Sequence, residues 1–353
     1  MIGSLRRRLE HGTAAKALIA LTAMLTLGAC TSVEVKEADW INSNGQRYEH
    51  FVLSQGSDLP RVEYYISKRV VGEAKAPIVL YIQGSGCAPV FPENGGPTDH
   101  FSTVFTLTTE AAAHPELAVM VVNKPYVPAR VVPKSGTATN CPKEFNNYFD
   151  VDSWVGQIGI ALRHARALPW IDTSKALVIG FSEGATIAAS LAAREPGFTH
   201  VALVGGAGPD QYYDFVVKAY MKGEDDEKTS ETLSQLTDQL ADILRYPNDP
   251  SRFWLGHPYK RWASFFRTST IRNLEASKAR LYIVSGMDDM STPVLSTEVI
   301  YSELAPMGKR IVMRRLPHAD HGLFTKEGKA RAAEAEYDRV IKWFLAADTG
   351  ATE

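Results

Sequence analysis

The run Leu177-Val178-Ile179-Gly180-Phe181-Ser182-Glu183-Gly184-Ala185 constrains this chain more than any other stretch. A continuous apolar segment passes through Gly-x-Ser-x-Gly directly into an Ala-rich segment with apolar residues at helical spacing. A strand that becomes a helix over so few residues forces Ser182 into strained backbone angles, and small residues on either side keep strand and helix from colliding. The strain turns the hydroxyl outward. Taken alone, the residues also fit a helix N-cap serine between turn glycines; their place straight after a buried strand favours the strained turn.

Such a strand and helix need partners, and the rest of the chain supplies them by alternation. Residues 77–82 form a second apolar run ending in Gln83-Gly84-Ser85-Gly86, and residues 117–122, 176–179, 201–204, 281–284 and 310–316 repeat its character. Strands buried on both faces belong to the middle of a sheet. Between most of them lie segments with helical spacing, at 101–113, 151–168, 182–194, 293–304 and 330–345. This alternation predicts an α/β fold with a mostly parallel central sheet covered by helices on both faces. Residues 48–53 and 62–66 are rich in β-branched and aromatic side chains and read as an antiparallel pair that opens the sheet.

Two stretches interrupt the rhythm. Residues 124–150 contain Pro, Asn and Cys141 and are too long for a plain connection. Residues 205–278 hold a charged turn at 223–228, a helix over 231–245 and the aromatic group Phe253, Trp254, Tyr259, Trp262, Phe265 and Phe266. A helical cap is expected there, at about 206–278, inside a domain spanning 47–348; the other reading is an extra helical layer with no role in selectivity.

A serine hydroxyl is a weak nucleophile until a base removes its proton, so Ser182 needs a histidine that an acid orients. After strand 310–316 comes Pro317-His318-Ala319-Asp320-His321-Gly322, and after strand 281–284 comes Gly286-Met287-Asp288-Asp289-Met290-Ser291-Thr292-Pro293. The order Ser, Asp, His, with acid and base each on a loop following a strand, suits this geometry. The sequence holds no Gly-x-x-x-x-Gly-Lys, no Gly-x-Gly-x-x-Gly after the first strand, no His-Glu-x-x-His and no Cys-x-x-Cys. No cofactor and no metal is therefore expected, although His318, Asp320 and His321 could imitate a metal cluster.

In its elbow, loop acid and His-Gly pair the sequence resembles the α/β-hydrolase superfamily, over residues 48–345 apart from the two interruptions. The resemblance implies an acid three residues after a glycine and four before a proline, which is Asp289, and a base followed by glycine, which is His321. Asp288 and His318 stand as the alternative acid and base. Acyl transfer also needs N–H donors aimed at the oxygen that becomes negative. One is expected from the backbone of Glu183, where the helix dipole adds to it. The other is expected from the loop after strand 77–82, where family members carry His-Gly and this chain carries Gln83-Gly84. Ser85 is the choice there and Gly86 the alternative. The Glu183 carboxylate reads either as a group stabilised by the first turn of its own helix or as an attractor of cationic or free-amine substrates.

The first thirty residues read as an address. Arg6, Arg7 and Arg8 precede an uncharged run over 17–28, too short to span about 30 Å of hydrocarbon as a helix, in the pattern of a secretion signal. Its end, Leu27-Gly28-Ala29-Cys30, resembles the lipobox of bacterial lipoproteins. The resemblance implies a signal peptide over 1–29, lipidation of Cys30, a tether over 30–46 and a membrane held by acyl chains. Thr31 in place of Asp implies the periplasmic face of the outer membrane. In a compartment that favours oxidation, Cys87 and Cys141 form a candidate disulfide.

Together these readings predict a lipid-anchored serine hydrolase of the bacterial envelope that cleaves small carboxylic esters through an acyl-enzyme. A peptidase of the prolyl-oligopeptidase type acting on short peptides is one alternative, and a non-catalytic lipoprotein that binds a ligand under its cap is another. The aromatic cap suggests an apolar acyl or alcohol group. Nucleic acid is not expected, because 38 Lys and Arg against 40 Asp and Glu leave a formal charge of −2 and no surplus to grip phosphates.

Overall fold

The computed structural model describes residues 38–41, 47–67, 74–91, 113–129, 141–206, 208–223, 225–325 and 329–346. Its contacts divide the chain into residues 1–31 and 32–353, and every described residue belongs to the second unit. The expected signal peptide, Cys30, most of the expected tether and nearly all of the helix expected at 101–113 lie outside the described residues.

The apolar runs become strands: β1 (Ala38–Ile41), β2 (Arg47–Leu53), β3 (Val62–Ser67), β4 (Ala76–Ile82), β5 (Ala118–Val122), β6 (Ile171–Phe181), β7 (His200–Val204), a two-stranded hairpin of β8 (Phe253–Trp254) and β9 (His257–Pro258), then β10 (Arg280–Gly286) and β11 (Ile311–Leu316). Nine of them form one sheet in the order β1-β2-β3-β5-β4-β6-β7-β10-β11. Pairing is antiparallel from β1 to β5 and parallel from β5 to β11. β1 falls within the stretch expected to be a tether and adds a strand to the open edge of β2.

The helices are α1 (Lys143–Tyr148), α2 (Val151–Arg166), α3 (Glu183–Arg194), α4 (Gln211–Lys222), α5 (Asp226–Arg245), α6 (Tyr259–Phe266), α7 (Thr270–Ala276), α8 (Val294–Leu304) and α9 (Lys329–Leu345). Side chains alternate across a strand, so β4 sends Ile78, Leu80 and Ile82 to one face and Val79 and Tyr81 to the other. The first face packs on α2, α3, α7 and α8 through residues such as Trp154, Ile187, Leu274 and Ile300. The second packs on α9 through Tyr337, Val340 and Phe344. Among the described residues no helix is long and apolar enough to cross a membrane.

The stretch between β7 and β10 is richer in helix than its sequence suggested. α4 had no counterpart in the sequence reading, and α5 begins earlier than expected, at Asp226. The cause is local: Asp225 and Asp210 each accept a bond from a backbone N–H three residues on, that of Lys228 at 2.7 Å and of Tyr213 at 2.9 Å. Much of the expected charged turn is thus an N-cap and a first turn, where acids suit the helix dipole. The aromatic group serves mainly as this region's own core. Trp254, Trp262, Phe215 and Phe266 pack on one another, mostly edge-on or tilted, with Trp254 and Trp262 centroids 5.1 Å apart. Phe265 joins the main core. The aromatics therefore give no argument for an apolar substrate group.

Candidate active site

All six parallel strands end at one edge, and their following loops bring together residues far apart in sequence. At the end of β6, Ser182 has φ 54° and ψ −122°. The two glycines of the motif make that turn buildable. A Cβ on Gly180 would lie 2.1 Å from the carbonyl oxygen of Gly184, and one on Gly184 would lie 2.3 Å from that of Ile82. Strand, helix and the neighbouring strand β4 touch at backbone distance, as the sequence reading required.

From the loop after β11, His321 places Nε2 3.0 Å from Ser182 Oγ. From the loop after β10, Asp289 places Oδ2 2.8 Å from His321 Nδ1. Asp289 is fully buried, and its charge is met by donors: Oδ1 accepts from the N–H groups of Ser291 at 2.7 Å and Thr292 at 2.9 Å. The Thr292 hydroxyl lies 2.9 Å from Oδ2 and 2.8 Å from the carbonyl oxygen of Gly205. His321 keeps 28% of its side chain exposed. Asp288 and His318, the alternatives, are both exposed and take no part in this chain of contacts. His318 has φ 58°, in the left-handed region.

Of the expected oxyanion donors, Glu183 is the first residue of α3, directly behind Ser182. Ser85 is exposed in the loop after β4, and Gly84 lies against the nucleophile, where an added Cβ would come within 3.3 Å of Ser182 Cβ. Cys87 at the end of that loop forms a disulfide with Cys141, the Cα atoms 5.7 Å apart. The bridge pins the loop to the segment leading into α1.

A second polar assembly abuts the first. The Glu183 carboxylate is buried and accepts from Arg261 of α6, through Nε at 3.0 Å and also through Nη2. Lys124, just past β5, is buried as well, with Nζ 4.0 Å from Glu183 Oε1. Its ammonium donates to the carbonyl oxygens of Gly84 at 2.5 Å and Gly86 at 2.6 Å. Burial works to raise Glu183, but the charges of Arg261 and Lys124 outweigh it and hold the carboxylate below its usual range. Burial presses Lys124 down to about 8, with Glu183 opposing and Arg261 reinforcing the shift. His257, half-buried beside them, is lowered to about 3 by desolvation and then by Arg261. Between α1, the hairpin and α6 lies a cavity of about 10 Å³, lined in part by Gly86, Glu183, His257 and Arg261; that is room for about one water. The Glu183 carboxylate stands in the first turn of its own helix, as one of the two readings had it, and its charge is also met by two protein cations, so it is no free attractor of a cationic substrate.

None of Lys124, Arg261 or His257 was singled out from the sequence. A weak signal existed for the first: one lysine two residues after a wholly apolar strand. Asp214 of α4 was also missed; it is buried, and that burial pushes it up to about 7. Among the described residues no group of three or more His, Cys, Asp and Glu is placed to hold a metal ion.

The strand order, the elbow after the central strand and the cap between β7 and β10 are those of the α/β-hydrolase fold. No family model and no curated protein matches the sequence. Solved structures match in fold. Acetyl xylan esterase 1 from Thermoanaerobacterium is 15% identical with a TM-score of 0.54, over 90% of this chain and 89% of its own. Est1E from Butyrivibrio proteoclasticus is 12% identical with a TM-score of 0.50, over 84% and 97%. An acylaminoacyl peptidase from Pyrococcus horikoshii is 14% identical with a TM-score of 0.54, over 88% and 42%. This chain spans less than half the length of that peptidase, and at these identities the likeness is one of fold.

Proposed function

We propose that this protein is a serine hydrolase that cleaves carboxylic esters through an acyl-enzyme. The observation that carries the reading is the unbroken path from Ser182 Oγ to His321 Nε2 to Asp289 Oδ2, at 3.0 and 2.8 Å. In the reading, His321 donates Nδ1–H to Asp289 and takes the Ser182 proton at Nε2 as the oxygen attacks the ester carbonyl. The backbone N–H groups of Glu183 and Ser85 receive the oxyanion. His321 then returns the proton to the departing alcohol, and water releases the acid by the same steps in reverse roles.

Esters come before amides because the chain covers most of an acetyl xylan esterase and less than half of an acylaminoacyl peptidase. The peptidase reading keeps the support of an equal TM-score. We place the protein in the bacterial envelope, held by lipid at Cys30; the Cys87–Cys141 disulfide suits such an oxidising compartment. A fluorophosphonate probe tests the core of the reading: Ser182 should take the label, and a ligand-binding lipoprotein without catalysis would stay unlabelled. A p-nitrophenyl ester series run beside aminoacyl anilides then ranks the substrates. Anilide turnover with no ester preference would remove the esterase assignment, and a chain that stays in the aqueous phase on detergent partitioning would remove the anchor.

A further inference from the structure

A fully buried lysine takes no part in the chain from Ser182 to Asp289, yet it holds the loop beside the nucleophile by two bonds. The geometry points to Lys124 as a positioning residue that aims the oxyanion donors, through the carbonyls of Gly84 and Gly86 on one side and the Glu183 carboxylate on the other. This rests on the serine-hydrolase reading above. In a trans peptide the carbonyl oxygen and the N–H of the same unit lie on opposite sides of the C–N bond. The Gly84 carbonyl belongs to the unit whose N–H is that of Ser85. Bound to Lys124 Nζ at 2.5 Å, it turns the Ser85 N–H away from the ammonium. The Gly86 carbonyl, at 2.6 Å, fixes the next unit but one in the same sense. Two peptide planes gripped by one cation leave the loop little freedom to roll, and the disulfide at Cys87 holds its far end.

The same cation reaches the second donor. Glu183 contributes the N–H behind Ser182, while its carboxylate lies 4.0 Å from Lys124 Nζ and is bonded to Arg261. One charge thus ties together the two backbone segments that must face a single oxygen. The groups facing the ammonium are Glu183 from α3, Arg261 from α6, His257 from the hairpin and the Phe149 ring, whose centroid is 5.2 Å away. A neutral side chain at this position would strip the buried Gly86 carbonyl and the half-buried Gly84 carbonyl of their donor.

The test compares full-length wild type, Lys124→Met and Lys124→Arg for kcat and KM on p-nitrophenyl butyrate, fluorophosphonate labelling and thermal unfolding. Lys124→Met is expected to fold and to lose about 10²–10³-fold in kcat, the size of one lost oxyanion donor, with KM within about threefold; Lys124→Arg recovers about tenfold or more. Wild-type kcat falls as pH rises through about 8, where the ammonium loses its proton, and Lys124→Arg holds level there. A folded Lys124→Met with unchanged kcat overturns the role, as does a loss carried wholly by KM. If Lys124→Met does not fold, the wild-type profile decides: a fall in kcat through that pH supports the role, and a level kcat well beyond it overturns it. A wild type that takes no label overturns the serine-hydrolase reading and this role with it. A labelled wild type beside an unaltered Lys124→Met overturns this role alone.

Discussion

Two polar assemblies share the turn at Ser182 and differ in their exposure. In the first, Asp289 is sealed and met by backbone donors while His321 remains partly open to solvent. In the second, Lys124, Glu183 and Arg261 are sealed throughout, with side-chain exposures of 0%, 2% and 4%. On the proposed function the difference follows from what each would do. A base that takes and returns protons needs contact with the substrate and with water, whereas charges that hold backbone in place act best where water cannot screen them. Within the sealed cluster the direct ion pair is that of Arg261 with Glu183, and removing either of those two breaks it.

The comparison breaks first at the serine. Ser182→Ala is expected to lower kcat by about 10⁶-fold and Asp289→Asn by about 10⁴-fold, with Asp288→Asn within about twofold. Initial rates on a soluble ester check all three, and a loss confined to Asp288→Asn would move the acid to that residue. These variants should leave the urea midpoint nearly in place.

The sealed cluster should show the reverse profile. Arg261→Met is expected to lower the unfolding free energy by about 3–5 kcal/mol, since it leaves the buried Glu183 carboxylate with Lys124 alone, 4.0 Å away, and the double variant with Glu183→Met should lose less than the sum of the two singles. Urea unfolding of the two singles and the double measures the coupling; strictly additive losses would deny that the pair acts as a unit.

The disulfide comes next. It closes a loop of 54 residues, which in the chain-entropy account is about 4 kcal/mol, so Cys87→Ser with Cys141→Ser should cost about 2–4 kcal/mol. Denaturant curves with and without reductant should agree with the double variant.

The smallest effect contrasts two buried carboxylates. Glu183 is held low by two cations, but burial of Asp214 prevails and pushes it up to about 7. A raised acid contributes stability that is present below its unfolded value of 3.8 and is lost as pH rises through the folded one. Asp214→Asn should therefore exceed wild type in stability at pH above about 7, by on the order of 2 kcal/mol, and lose that advantage as pH falls toward about 4. Thermal unfolding across that range checks the sign.

The sequence was most legible where function sits in short local patterns. The elbow, the loop acid and the His-Gly pair each follow a strand within a few residues, and the six parallel strands carried apolar runs that alternation exposed. The sealed cluster was illegible for the opposite reason. Its members come from residues 84–86, 124, 183 and 261, and each is a common residue type whose meaning depends on tertiary contact. α4 escaped notice because its buried residues are Asp214, Val217 and Ala219, one of them charged and the last two not on one face, while the apolar Tyr220 and Met221 are exposed. The expected tether hid β1, a strand that earns its place by pairing with β2 and not by any pattern of its own.

The bond between Arg261 and Glu183 also bears on how reactants could come and go. Swinging α6 outward would break the buried ion pair and leave the carboxylate with Lys124 alone, and a cost of roughly 4 kcal/mol would keep such a displaced form near one molecule in a thousand. On the proposed function, α6 is thereby bolted to the helix that follows the nucleophile, and any opening of the site falls to some other segment.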